Sequence, residues 1–230
     1  MKNDGSLYVI STPIGNRDDI TLRALQVLKK CDIIASEDTR HSGSLMSHYG
    51  IKGTFLSYND RNKNRRIPLI LNMLKEGKNI GLVSDAGTPL ISDPGYQIVQ
   101  AVIRENIEII PIPGPSAILT ALSVSGMPTD AFAFYGFIPK KGKRRKLILN
   151  SIGNTWTTSI LFESPLRIKE TLNAIYEYCG NRKVVLAREL TKIYEEFIRG
   201  DIEILLQKID NNEIKLKGEI VLLIEGNKNV

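Results

Sequence analysis

Short apolar runs alternate with amphipathic stretches through the first half of the chain. Leu7-Tyr8-Val9-Ile10-Ser11 reads as a strand, and Thr12-Pro13-Ile14-Gly15-Asn16 as a turn. Asp18 to Lys30 reads as a helix capped by Thr21, with Leu22, Leu25 and Leu28 at helical spacing. Asp32 to Ser36 is a second strand, followed by the charged loop Glu37-Asp38-Thr39-Arg40-His41. A helix over Ser42 to Tyr49 and a short strand at Thr54-Phe55-Leu56 come next, then a helix from Ile67 to Glu76 that Gly77 stops. Asn79-Ile80-Gly81-Leu82-Val83 is an apolar run of the kind buried in a parallel sheet. A helix to Glu105 and a strand from Glu108 to Ile112 complete the series. This β-α alternation predicts a mostly parallel sheet with helices on both faces.

The pattern changes after Pro111-Ile112-Pro113-Gly114-Pro115-Ser116-Ala117. Pro115 suits the first turn of a helix that Ile118-Leu119-Thr120-Ala121-Leu122 continues and Gly126-Met127-Pro128 ends. The domain boundary is placed here, giving domains 1–115 and 116–230. The Pro-Gly-Pro run reads equally well as a stiff linker and as the wall of a ligand cleft. Beyond it, Phe132–Phe137, Thr157–Glu163, Arg182–Glu189, Glu195–Arg199 and Glu219–Glu225 read as strands. Lys143–Ser151 reads as a basic helix and Pro165–Tyr178 as another. Thr191 and Lys192 sit in the turn of an expected hairpin. The fold class is α/β in two domains: an N-terminal, mostly parallel sheet flanked by helices, and a C-terminal α+β domain with a mixed sheet.

One loop carries most of the candidate chemistry. Ser84-Asp85-Ala86-Gly87-Thr88-Pro89-Leu90-Ile91-Ser92-Asp93-Pro94-Gly95 lies at the carboxyl end of a strand, the edge where open α/β sheets bind ligands. Its Gly and Pro residues fix turns and let a ligand approach the main chain. It holds two carboxylates and no cation. That argues against a phosphate cradle and for a ligand with hydroxyls or positive charge. A well-made turn whose Asp residues cap helices is the plainer alternative.

Composition adds limits. The 230 residues are 42% hydrophobic and 24% charged, ordinary values for a globular protein. The net charge of +6 is a moderate bias toward acidic partners. Cys31 and Cys179 make no disulfide framework and no zinc-ligand spacing, so no metal is expected. No apolar signal region opens the chain and no apolar run approaches a membrane span, so a cytoplasmic protein with no membrane partner is expected.

Eight ordered blocks are more specific than any single loop. They are Leu7–Asn16 with Thr21-Leu22-Arg23-Ala24-Leu25, Ser36–Arg40, Leu82–Gly95, Pro111–Ala117, Phe134–Pro139, Phe162-Glu163-Ser164-Pro165, Ala187–Lys192 and Lys217-Gly218-Glu219. In these the chain resembles the tetrapyrrole methylase superfamily, two-domain methyltransferases that hold S-adenosylmethionine (SAM) in the cleft between domains. The resemblance is strongest to its branch that methylates the 2′-hydroxyl of a cytidine in the decoding region of 16S rRNA. It implies SAM as cofactor, the small ribosomal subunit as partner and a homodimer.

The resemblance places Pro13, Gly15, Asp85, Ala86, Gly87, Thr88, Pro89, Ile91, Ser92, Pro113, Ser116 and Ala117 along the cofactor from the first domain. Phe162, Glu163, Ala187, Gly218 and Glu219 would close the other side. Asp85, Glu37, Asp38 and Glu163 are the candidate bases for a ribose hydroxyl. For Glu37-Asp38 a helix-capping pair is an equal alternative, and positioning alone is another route to catalysis. His41 and His48 fall on a surface helix and read as solvated.

Two basic clusters are candidate RNA contacts: Lys140, Lys141, Lys143, Arg144 and Arg145, and Arg61, Arg65 and Arg66. Arg40 could clamp a phosphate, and Tyr58 and Tyr135 could stack on an unpaired base. The chain departs from the family at Asn59 and Arg61, where imidazoles are expected, and it stops at Val230, before the extra segment of many relatives. A methylase of a tetrapyrrole-like small molecule and a non-enzymatic RNA-binding assembly factor are the alternatives. Fold alone does not separate them from the rRNA reading.

Overall fold

The computed structural model describes residues 4–228. Met1–Asn3 of the opening segment and the last two residues, through the stop at Val230, lie outside the described residues. The chain divides into two compact units, Met1–Ser116 and Ala117–Val230.

The first unit is built on five parallel strands: β1 (Leu7–Ile10), β2 (Ile33–Ser36), β3 (Thr54–Ser57), β4 (Ile80–Val83) and β5 (Ile109–Ile112). Their order in the sheet is β3-β2-β4-β1-β5. Side chains alternate across the strands, so each strand feeds two cores. Leu7, Ile33, Ala35, Ile80 and Leu82 pack on one face with Ile70 and Leu74 of α3 (Lys63–Lys75) and Ile98 and Val102 of α4 (Tyr96–Arg104). Ile10, Ile34, Val83 and Ile112 pack on the other face with Ala24 and Leu28 of α1 (Leu22–Leu28) and Leu45 and Met46 of α2 (Thr39–His48).

Caps set the helix starts. The stretch read as one helix from Asp18 breaks into a 3-10 turn, Arg17–Asp19, and α1. The Thr21 hydroxyl accepts the Ala24 N–H at 3.0 Å, which fixes the second start. Helix α2 begins at Thr39, not Ser42, because the Asp38 carboxylate accepts the Arg40 N–H at 2.9 Å. Helix α3 begins at Lys63, not Ile67. Asn59 Oδ1 accepts the N–H groups of Arg61 and Asn62, and that turn starts the helix four residues before Ile67. Pro68 then lies in its second turn.

The second unit holds α5 (Ala117–Ser123), β6 (Phe132–Phe137), α6 (Lys143–Gly153), β7 (Thr158–Glu163), α7 (Ile168–Cys179), β8 (Lys183–Arg188), β9 (Glu196–Asp201), α8 (Ile202–Asp210) and β10 (Ile220–Ile224). The sheet is mixed, in the order β6-β7-β10-β8-β9, with β6 parallel to β7 and the remaining pairs antiparallel. The expected β8–β9 hairpin is present. Helix α8 had no expectation, although Ile202, Leu205 and Ile209 carry its buried face at helical spacing. Central strands β7, β8 and β10 are buried on both faces, which is why they read as continuous apolar runs.

Candidate active site

Strand β2 leads into α2 on one face of the first sheet, and β4 leads into α4 on the other. Chains that leave adjacent strands in opposite directions open a crevice at the carboxyl edge. A cleft of about 610 Å³ lies there. Glu37, Asp38, Thr39 and Arg40 line it from the end of β2, Asp85 from the end of β4, and Ser57, Asn59, Asp60 and Arg61 from β3 and the turn after it. The strands finish level with one another, since Ser36 pairs with both Ser57 and Val83, so these residues emerge side by side.

The loop after β4 is laced to its neighbours. Thr12 N–H donates to Gly87 O at 2.9 Å and Gly87 N–H donates to Thr12 O at 3.0 Å. The Thr12 hydroxyl donates to Ser84 O, the Ser84 hydroxyl donates to Gly87 O, and Ser11 Oγ lies 3.0 Å from Thr88 Oγ1. Gly87 has φ +79°, and a Cβ there would meet Ile14 at 3.3 Å. Leu90 and Ser92 hold φ of 74° and 66°, a conformation that costs non-glycine residues about 1–3 kcal/mol each. The lacing of Thr12, Ser84 and Gly87 stabilises a loop that would otherwise relax.

The crevice carries a negative field. Glu37 sits above the usual glutamate range, through burial first and then the nearby Asp85 and Asp60. Asp93 is pushed up to about 6, mostly by burial, then by Glu37 and Asp85, with Ser84 pulling the other way. Asp38 is held below the usual range by its hydrogen bonds with Arg40. Asp85 Oδ1 accepts the Asp38 N–H at 3.2 Å.

The expected site residues of the first unit sort by their surroundings. Pro13, Gly87 and Pro89 are buried, Asp85 and Thr88 are half-buried, and Gly15, Ala86, Ile91, Ser92 and Pro113 are exposed. Ser116 and Ala117 are half-buried just before and at the start of α5. In the second unit, Phe162 packs edge-on against Phe134 and Phe137, and Ala187 is buried in β8. Glu189, at φ 52°, accepts the Glu219 N–H at 2.9 Å and the Lys192 Nζ at 2.8 Å. Gly218 has φ +89°, and a Cβ there would fall 2.3 Å from that Glu189 carboxylate and displace it.

Three expectations need correction. Glu163 is not a free carboxylate: its side chain is fully buried, accepting the Thr171 hydroxyl at 2.6 Å and the Ser164 N–H at 2.8 Å beside Arg167. Tyr58 is no stacking platform, because it is 2% exposed and among the largest side chains of the core. Arg145 is not a free cation: it donates to Pro139 O at 3.1 Å and pairs with Glu170. Arg66 is half-buried with its Nε enclosed. Lys140, Lys141, Lys143, Arg144, Arg61 and Arg65 are exposed. The sequence reading passed over Asp93 and Asp60. Asp93 lay in the quoted loop, and its coupling to Glu37 needed the tertiary fold.

Fold and crevice together define a two-unit α/β protein of the class that binds ligands at the carboxyl edge of a parallel sheet. The chain belongs to the tetrapyrrole (corrin/porphyrin) methylases, whose family profile matches residues 6–205. The cofactor of that family is SAM. Among curated relatives, the ribosomal RNA small subunit methyltransferase I of Halalkalibacterium halodurans is 47% identical over 223 residues, covering 97% of this chain and 76% of the relative. The protein of the same name from Thermotoga maritima is 46% identical over 222 residues, covering 96% and 99%. Among solved structures, uroporphyrin-III C-methyl transferase from Thermus thermophilus, complexed with S-adenyl homocysteine, aligns at a TM-score of 0.66. That match has 13% identity and covers 96% of this chain and 97% of that one, a likeness of fold.

The donor set fits SAM. A sulfonium is favoured by a negative surrounding, and Glu37, Asp60 and Asp85 line the cleft with carboxylates that would supply one.

Proposed function

We propose that this protein methylates rRNA of the small ribosomal subunit, and that the acceptor is the 2′-hydroxyl of a cytidine. The observation that carries the reading is 46–47% identity, over nearly the whole chain, to proteins named ribosomal RNA small subunit methyltransferase I. The macrocycle methylases match at 13–19%, which supports a shared fold alone. SAM, when bound, supplies an electrophilic methyl on sulfur.

In this proposal the loop 84–92 and the segment 113–117 hold the cofactor in the first unit. The lacing around Thr12 and Gly87 fixes the loop before ligand arrives, which lowers the cost of positioning. Asp85 is the proton acceptor for the ribose hydroxyl. Its carboxylate is oriented by the Asp38 N–H and lines the cleft, whereas Asp38 is spent on capping α2 and Glu163 is buried. The exposed cations Lys140, Lys141, Lys143, Arg144, Arg61 and Arg65 take phosphates.

No helix among the described residues is long and apolar enough to cross a membrane. A cytoplasmic homodimer is proposed from the family resemblance, and light scattering on the purified chain tests the dimer.

The deciding experiment for the reaction uses tritiated SAM and small subunits lacking the modification. Label in rRNA, mapped to a ribose 2′-oxygen of a cytidine, is expected. Label on a base would overturn the acceptor, and label in a tetrapyrrole alone would overturn the substrate class. Asp85→Asn should slow single-turnover methylation at saturating SAM by at least about 100-fold, with SAM affinity measured separately. Unchanged turnover would remove Asp85 as the acceptor.

A further inference from the structure

The cleft at the ends of β2, β3 and β4 is lined by both acids and cations, and most of them are already partnered. Arg40 is paired with Asp38 at 3.2 Å. Asp60 is paired with Lys63 at 2.9 Å. Asp85 accepts the Asp38 N–H. Two charged side chains of the lining remain, among the described residues, without hydrogen bond or ion pair: the Glu37 carboxylate and the Arg61 guanidinium. An unpaired acceptor and an unpaired donor fork on one cleft are complementary to a ligand with an amine at one end and an anion at the other.

We infer that this cleft reads the target base, with Glu37 accepting a hydrogen bond from the exocyclic amine of cytosine and Arg61 holding an adjacent phosphate. The inference rests on the rRNA-methylation reading above and deepens it to specificity. A cytosine presents an amine where uracil presents a carbonyl oxygen, and a carboxylate accepts from the first and repels the second. Unpaired bases are recognised in this way, on their Watson–Crick edges. A cleft of about 610 Å³ has room for one nucleotide and its flanking phosphate. The surrounding carboxylates, Asp60 and Asp85, add negative potential that favours an amine over a carbonyl. Arg61 contributes charge without base information, because phosphate contacts position and base contacts specify. Glu37 is therefore assigned to the base and not to the ribose proton.

Binding of short RNAs to the full chain tests this without relying on methyl transfer. The probes are the labelled pentanucleotides UUCUU and UUUUU, read by anisotropy. Wild type should bind UUCUU about ten-fold more tightly, the worth of one such contact. Glu37→Ala should erase the difference between the probes, weakening UUCUU while UUUUU binds no more weakly than before. Glu37→Gln should bind both probes, since an amide can accept from cytosine or donate to uracil. Arg61→Ala should weaken both probes alike and reduce the salt slope by about 0.7. Equal binding of the two probes by wild type, or equal loss of both in Glu37→Ala, would overturn the proposal.

Methylation of small subunits with the target cytidine changed to uridine separates the two levels. Wild type should discriminate between the two subunits, and Glu37→Ala should lose that discrimination. Absence of rRNA labelling alongside an intact UUCUU preference overturns the reaction and keeps the pocket. Labelling with a cytidine preference untouched by Glu37→Ala overturns the pocket and keeps the reaction. A Glu37→Gln enzyme that binds both probes but is inactive on every subunit makes Glu37 the base and overturns the assignment.

Discussion

Thr12 and Gly87 face each other across the ends of β1 and β4 as a two-residue antiparallel bridge, with both backbone bonds made at 2.9 and 3.0 Å. The two strands themselves run parallel, so the bridge forms only because both loops turn back at the sheet edge. Gly87 makes the turn at φ +79°. Gly87→Ala should cost about 1–2 kcal/mol of stability, from the left-handed backbone and the tight approach to Ile14. SAM affinity should fall together with stability, because the same turn shapes the loop proposed to hold the cofactor. Urea unfolding and calorimetric SAM binding check both. A variant with wild-type SAM affinity would show that the loop holds its shape without the bridge.

Asp93 gives a pH dependence of known sign. Its folded value, about 6, lies above the value near 3.9 of an unfolded aspartate, so the folded state binds the proton more tightly. The stability from that proton is fully present below the unfolded value and is lost as pH rises through about 6. Asp93→Asn should match wild type near pH 4 and exceed it by about 1 kcal/mol near pH 8, after discounting for solvent screening. Thermal unfolding at the two pH values measures this, and a less stable variant near pH 8 would contradict it. The sulfonium of SAM should pull the same group down, releasing protons on binding near pH 6. The neutral thioether S-adenosylhomocysteine should release fewer. Calorimetry in two buffers of different ionisation enthalpy reads the difference.

The burial of Glu163 leads to a structural phenotype. Glu163→Ala leaves the Thr171 hydroxyl and the Ser164 N–H without their acceptor and removes the buried charge opposite Arg167, which keeps its bond to Ile138 O. It should cost about 3 kcal/mol, as breaking a buried ion pair does. Thr171→Val should cost about 1–2 kcal/mol and leave methyl transfer per folded molecule unchanged. A Thr171→Val protein of full stability but reduced turnover would restore Glu163 to the chemistry.

Arg144 and Arg145 are neighbours in sequence with opposite expected phenotypes. Arg144 is exposed, so replacing Lys143 and Arg144 together by Gln should flatten the salt dependence of RNA binding by roughly 1.4 in log–log slope, at wild-type stability. Arg145→Gln loses the contacts to Pro139 and Glu170 and should lower thermal stability with little change in that slope. Filter binding from low to high salt, beside thermal unfolding, distinguishes the two.

The amino-acid sequence by itself determined the parallel strands of the first unit and the mixed sheet of the second, though not helix α8 or the starts of α2 and α3. Local physics decides those features: Thr21 caps a helix, Gly87 turns a loop, and Ile80–Val83 is apolar on both faces because it is buried on both. It also placed Asp85, Glu37 and Asp38 at strand ends, where all three line one cleft. Tertiary structure alone decided which of them are free. Glu163 and Asp38 look alike in a sequence, yet one is enclosed by Thr171 and Arg167 and the other caps α2. Tyr58 and Arg145 were lost to core and scaffold for the same reason. Asp93 and Glu37 are 56 residues apart, and only the packing of β2 beside β4 makes their charges meet. Which charges face one another depends on strand order, and strand order is set by how the whole sheet buries its two faces.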